Sequence, residues 1–261
     1  MNTLFVAWRS PSTQSWYTIG RLTFEAGVYR FAYTQGARDA QQRGGFTPLA
    51  SFPQLEQIYE SETLFPLFSN RLPSPSRPDY AEFIEWMSVP QDADDPVALL
   101  ARSGGERATD QLEVYPRPEL EADGLYHIHF FAHGLRYFPQ ASRERAERLT
   151  PGEQLRLMHD LQNEHDPNAL LLRTAQQTPG DIHLVGYCPR YLAPDVLRLL
   201  RADTGSELQV AVERVNPPPA PVQFRLLCNM TLRWPDSEFQ PFSSPAHQPI
   251  PAGADTAPVV A

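Results

Sequence analysis

The chain has 261 residues, 41% of them apolar and 20% charged, with a formal net charge of −9. That length suits one large domain or two modest ones with separate cores, and the acidic balance argues against a generally basic nucleic-acid protein. No apolar run approaches the ~20 residues of a membrane span, and the start, MNTLFVAWRS, lacks the basic-then-apolar layout of a secretory leader, so a soluble, cytoplasmic protein is expected.

The charge is uneven. Residues 1–121 hold ten bases and sixteen acids, residues 122–235 hold twelve of each, and residues 236–261 hold three acids and no base. Any contact with phosphate therefore belongs to the middle segment. Every base is Arg, which makes bidentate phosphate contacts, although Arg-only usage also follows from GC-rich codons. The two cysteines, Cys188 and Cys228, are too few for a disulfide framework and form no C-x-x-C pair, so both are expected reduced and interior.

In chain order, LFVAW, YTIGRLTF and VYRFAYT read as three early strands, rich in β-branched and aromatic residues and separated by glycine breaks. In the third, Tyr29, Phe31 and Tyr33 alternate with Val28, Arg30 and Ala32. Pro78 is placed to open a helix carrying Phe83, Trp86 and Met87. DPVALLARSG predicts a second short helix, capped by Asp95 and closed by Gly104, and QLEVYP returns as a strand. Beyond residue 122, YHIHFFA, EQLRLM, NALLLR, IHLVGY, ELQVAVERV and QFRLLCNMTLRW are strand candidates, interrupted by the helix APDVLRLLRAD. Many short strands with few helices predict a small barrel. The expected division is an α+β domain over 1–121, a β-barrel domain over 122–235, and a disordered Pro- and Ala-rich tail over 236–261.

The densest polar stretch is DLQNEHDPNAL, Asp160 to Leu170. It fails as an EF-hand calcium loop, because position 3 is Gln162, position 6 is His165 and no Glu stands at position 12. His127 and His129 share one strand face near His133, but a zinc site needs three or four ligands in defined geometry. The chain has no G-x-S-x-G elbow, P-loop or G-x-G-x-x-G fingerprint. No residue pattern argues for an enzyme, a metal or a cofactor.

FFAHGLRYF, then LTPGEQLRLMHDLQNEHDPNALLL, then HLVGYCPRYLAPDVLRLL occur in that order over about 110 residues. This succession resembles the HIRAN domain: a Gly-x-x-Tyr turn, a G-x-x-L-x-L strand, an N-x-x-D-x-N-A turn and a G-Y-x-P turn before a helix. The resemblance implies an OB-like β-barrel that grips the 3′-OH end of single-stranded DNA, as in fork-remodelling ATPases. Carried onto this sequence, Arg136 matches a phosphate-contacting Arg and Tyr137 an aromatic that stacks on a terminal base. Asn163 and Asp166 match the turn that reads the end, and Tyr187 and Arg190 face the nucleic-acid backbone. Glu164 and His165 replace the Pro and aromatic usual in that turn; His165 retains a ring that can stack. A carboxylate such as Asp166 accepts a hydrogen bond from a free 3′-OH and repels a 3′-phosphate. Without a ligand, Asn163, Asp166 and Asn168 would bond the backbone of their own turn.

The first segment has a resemblance of its own. FSNRLPS and LLARSGGERATDQLEVYP, within residues 3–118, resemble the N-terminal subdomain of HipA-type kinases, without the kinase core that follows in that family. Free-standing relatives of that subdomain act as antitoxin partners of HipA-like kinases. The resemblances together imply a non-enzymatic DNA-binding protein whose first domain docks a protein, either a HipA-like kinase or a DNA-processing enzyme. The alternative they leave is an antitoxin-like kinase partner with little or no DNA binding.

Overall fold

Strands β1 (Thr3–Arg9), β2 (Trp16–Glu25) and β3 (Val28–Tyr33) stand where the sequence predicts three early strands, and they form an antiparallel meander. The computed structural model describes residues 3–89, 95–175, 180–201, 208–233, 240–251 and 259–260. These residues fall into two units: Met1–Ala81, Val89–Arg117 and Phe242–Ala261 form the first, and Glu82–Ser88 with Pro118–Pro241 the second. No helix among the described residues is long and apolar enough to cross a membrane.

In the first unit β4 (Tyr59–Ser61) and β5 (Leu112–Pro116) complete the sheet together with β12 (Val259–Val260), in the order β12-β4-β3-β2-β1-β5. Leu4, Val6, Leu22, Phe31 and Tyr33 point to one side, into a core shared with Phe52, Phe65 and Phe68. Phe31 stacks on Phe52 at 4.0 Å between ring centroids. Helix α1 (Gln35–Gly44) covers this side, burying only Gly36, Ala37, Ala40 and Gly44. Its sequence, QGARDAQQRG, has no large apolar residue, and for that reason the apolar periodicity does not reveal it. Of the remaining helices, α2 (Pro66–Ser69) is a single turn, and α3 (Tyr80–Met87) and α4 (Pro96–Ser103) are the two expected from the sequence. Asp95 caps α4 by accepting from Val97 N at 2.9 Å, and Gly104 closes it at φ 72°.

The segment expected to be a disordered tail needs correction over 240–251. Phe242 is buried against Phe5 and Tyr115, and His247 packs edge-on against Phe5 at 4.9 Å. The backbone is tied as well: Gln35 N donates to Gln248 O, and Ile250 N donates to Tyr33 O, both at 2.8 Å. Low apolar content misled here because a preformed sheet supplies most of the buried surface. Three or four well-placed side chains and a few backbone bonds then suffice to order the segment. The parts of the expected tail at 236–239, 252–258 and 261 lie outside the described residues.

The second unit is a six-stranded antiparallel sheet ordered β6-β11-β10-β7-β8-β9. Its strands are β6 (Tyr126–Phe131), β7 (Gln154–His159), β8 (Leu170–Thr174), β9 (Leu184–Tyr187), β10 (Gln209–Val215) and β11 (Leu226–Leu232). Helices α5 (Gln140–Glu147) and α6 (Ala193–Arg201) accompany it. α5, like α1, escapes a search for apolar periodicity because its buried residues are Ser142 and Ala146. Glu82–Ser88, within the stretch assigned to the first domain, also packs in this unit: Phe83 meets Phe224, and Asn216 Nδ2 donates to Trp86 O.

The expected barrel is a curled sheet whose two edges meet at a single point. Past β6, His133 N donates to Tyr187 O and Tyr187 N to His133 O, each at 2.9 Å. Closure stops there because Gly134, at φ 70°, turns the chain off the edge into a short 3-10 turn at Leu135–Tyr137. Gly186 makes the meeting possible. A Cβ at that position would lie 2.7 Å from the Ala132 Cβ, and its φ of 149° is one that other residues rarely adopt.

Candidate functional site

The site is built where those two sheet edges meet. β7 delivers the chain to Asp160, the turn 161–168 reverses it, and β8 carries it away, with Asp160 N donating to Ala169 O at 2.9 Å. The turn is held by its own side chains. Asn163 Oδ1 accepts from His165 N (3.1 Å) and Asp166 N (3.0 Å), and Asp166 Oδ1 accepts from Asn168 N at 2.9 Å. The expected turn bonding therefore exists for Asn163 and Asp166. For Asn168 it does not: its backbone donates, and its side chain makes no hydrogen bond among the described residues.

From this turn polar contacts reach β9. The Tyr187 hydroxyl donates to Asp160 Oδ2 at 3.0 Å, and Asn163 Nδ2 donates to the same oxygen at 3.2 Å. Burial, and then the bond to this carboxylate, push the Tyr187 hydroxyl above its ordinary range. Arg190 Nε lies 3.5 Å from the second Asp166 oxygen, Oδ2. Burial first, and the positive charge of Arg190 second, pull His133 down to about 4, so it is a neutral imidazole at neutral pH.

The 3-10 turn supplies the other wall. Phe138 packs on the Tyr187 ring at 5.5 Å, and the Gly134 backbone passes so close to that ring that a Cβ there would be 3.2 Å from it. Next to Phe138, Tyr137 is 74% exposed, a large aromatic held out in water. The Arg136 guanidinium lies over the Tyr137 ring, 4.7 Å from its centroid, and Nη2 is 2.5 Å from its hydroxyl. One face of this ring thus carries a cation.

Of the residues singled out from sequence, Asn163, Asp166, Tyr187 and Arg190 come together in one polar cluster, and Arg136 and Tyr137 stand beside it through Phe138. His165 is exposed, and its tie to the cluster is the bond from its backbone N to Asn163 Oδ1. Sequence reading missed Asp160, His133 and Phe138. Asp160 was visible only as one more acid in a polar run; the strand pairing is what puts it under Tyr187.

The arrangement can do three things chemically. It offers carboxylate and hydroxyl groups to a hydroxyl-bearing ligand, a guanidinium to an anion, and an aromatic face to a flat ring. The described residues include no group of three or more His, Cys, Asp or Glu placed to hold a metal ion. His127 pairs with Asp123 and His129 with Glu213 instead. Cys188 and Cys228 are buried and unbonded, and burial raises both thiols far above their ordinary range.

Two solved structures are similar to part of this chain. The HIRAN domain of human HLTF is 18% identical, with 42% of this chain and 80% of that one covered and a TM-score of 0.30. A protein from Lactobacillus plantarum is 21% identical, with 41% and 96% covered and a TM-score of 0.31. No curated protein matches the chain. Residues 125–234, from the start of β6 to just past β11, match the family model of the HIRAN domain, and the chain carries a HIRAN domain there.

Proposed function

We propose that the second unit binds DNA and holds the 3′-OH end of a single strand between the turn 160–168 and the 3-10 turn. The observation that carries this reading is the convergence of Asp166, Arg190 and Tyr187 beside an exposed, cation-capped aromatic, Tyr137. In this reading the terminal base stacks on Tyr137, which suits any sequence because every base has a π-face. Arg136 and Arg190 face phosphates. A terminal hydroxyl donates to the Asp166 carboxylate, while a terminal phosphate meets its negative charge. Asp160 and Asn163 hold the turn and the Tyr187 hydroxyl in place.

The test uses labelled single strands ending in 3′-OH or 3′-phosphate, at low salt, where phosphate contacts are strongest. The 3′-OH strand should bind more tightly, Arg136→Ala should weaken both, and Asp166→Ala should narrow the gap between them. Failure of both strands to bind sinks the DNA reading, and equal binding by wild type removes the role given to Asp166.

In the same proposal the first unit docks a protein, a HipA-like kinase or a DNA-processing enzyme. The resemblance of residues 3–118 to the HipA N-terminal subdomain supports this part. Co-purification through those residues tests it, and a pull-down that recovers neither class of partner counts against it.

A further inference from the structure

We infer that the outer face of β7 and β8 is a second phosphate subsite, formed by Arg156 and Arg173, that grips a nucleic-acid strand as it leaves the end pocket. This rests on the DNA reading above and adds the path of the strand. The register of the sheet carries the argument. Arg156 stands directly opposite Arg173, which puts their Cβ atoms about 4.5–5.5 Å apart. Like charges so placed repel, and a sheet ordinarily sets an opposite charge there. Among the described residues no carboxylate pairs with either arginine. An anion between the two guanidiniums turns the repulsion into a clamp.

The same register links this pair to the pocket. Met158 lies opposite Leu171, Leu171 opposite Tyr187, and Tyr187 opposite His133, so these four side chains share one face in one row. Arg156 and Arg173 are two residues along from Met158 and Leu171, hence on that same face and roughly 6.6 Å further on. The alternate positions, Leu155, Leu170, Leu172 and Thr174, are buried on the opposite side. A strand anchored at Tyr187 therefore meets first an apolar step, in which Leu171 is buried and Met158 is 41% exposed, and then the two arginines. That order of apolar then cationic surface fits bases and phosphates of one strand. It fits an acidic peptide less well, since nothing in the row answers a peptide backbone.

The experiment compares wild type with the double variant Arg156→Gln, Arg173→Gln on 3′-OH strands of two lengths. One is a dinucleotide confined to the pocket, the other a strand of roughly 10 nucleotides, within the range that OB-type sites cover. Wild type should bind the longer strand more tightly. The variant should hold the dinucleotide unchanged and lose on the order of tenfold on the longer strand. Its dependence on log salt should be shallower by about 0.7 for each phosphate that the variant no longer neutralises. Its melting temperature should match or exceed that of wild type, because a like-charge pair has gone. A melting temperature well below wild type means that the arginines serve the fold and overturns the subsite. Equal length gains in wild type and variant, or no gain in wild type, also overturn it while leaving the pocket standing. If neither length binds wild type, the pocket reading falls and the subsite falls with it. Displacement of the long strand by polyglutamate from wild type but not from the variant assigns the surface to acidic peptides instead.

Discussion

The two six-stranded sheets of this protein use their side chains differently. In the first unit both faces of the sheet are covered: one by the Phe31, Phe52 and Phe68 cluster, the other by Phe242 and His247 of the C-terminal segment. Its most buried arginine is well answered, although Arg9 Nε and Arg21 Nε in the same sheet are buried without a hydrogen-bond partner among the described residues. Arg71 forms a two-pronged pair with Asp110 and also donates to Leu67 O and Gly105 O. In the second unit one face is packed, the other carries Arg156 opposite Arg173, and the turns beside the sheet carry an exposed Tyr137 and a carboxylate–guanidinium pair at Asp166 and Arg190. Surfaces that could be made more stable and are not are where binding is to be sought, because satisfied groups have little left to offer a ligand.

The sharpest way to break the contrast is at the first core. Phe52→Ala removes a fully buried ring stacked on Phe31 and should cost about 3–5 kcal/mol, read from the denaturant midpoint. Gly186→Ala attacks the second unit where its edges meet, adding a methyl against Ala132 at a φ of 149°, and should cost about 2–3 kcal/mol by overpacking. DNA binding should fall along with stability, since His133 and Tyr187 flank the pocket.

A pH series reaches both units in one window, and a single variant tells them apart. His247 and His133 are both lowered by burial to about 4 from 6.5. A depressed folded value means that the unfolded chain binds the extra proton first. The contribution is therefore whole above about pH 6.5 and is lost as pH falls through that range toward about 4. Denaturant midpoints should decline over this window, and His247→Gln should flatten the decline. A variant with the slope of wild type would show that His247 is not a source of it.

Tyr137→Ala should leave the fold untouched, because the ring is mostly in water, and should weaken single-strand binding by about 1–3 kcal/mol. Smallest of all, Arg156→Gln alone should stabilise the fold by about 0.2–1 kcal/mol through relief of a cross-strand repulsion. Thermal melts with and without a strand would show the opposite signs of its effects on stability and on affinity.

Much of this was legible in the residues. β-Branched and aromatic runs marked most of the strands, Asp95 and Gly104 bracketed α4, and four short motifs in order pointed to the HIRAN domain. α1 and α5 were illegible because each buries small residues only, so neither carries an apolar stripe. The C-terminal segment was misread because its order depends on a surface supplied by residues more than 100 positions earlier.

The candidate site divides the same way. The amino-acid sequence alone determined which residue types stand in the polar turn, and that Arg136, Tyr137, Asp166, Tyr187 and Arg190 occur at fitting spacings. Sequence spacing is a one-dimensional quantity, fixed once the residues are read. Only the tertiary structure decided that Tyr187 reaches Asp160, that His133 pairs with Tyr187, and that Arg156 faces Arg173. Each of these is a matter of strand register, and a slip of one residue would send every such side chain to the other face of the sheet.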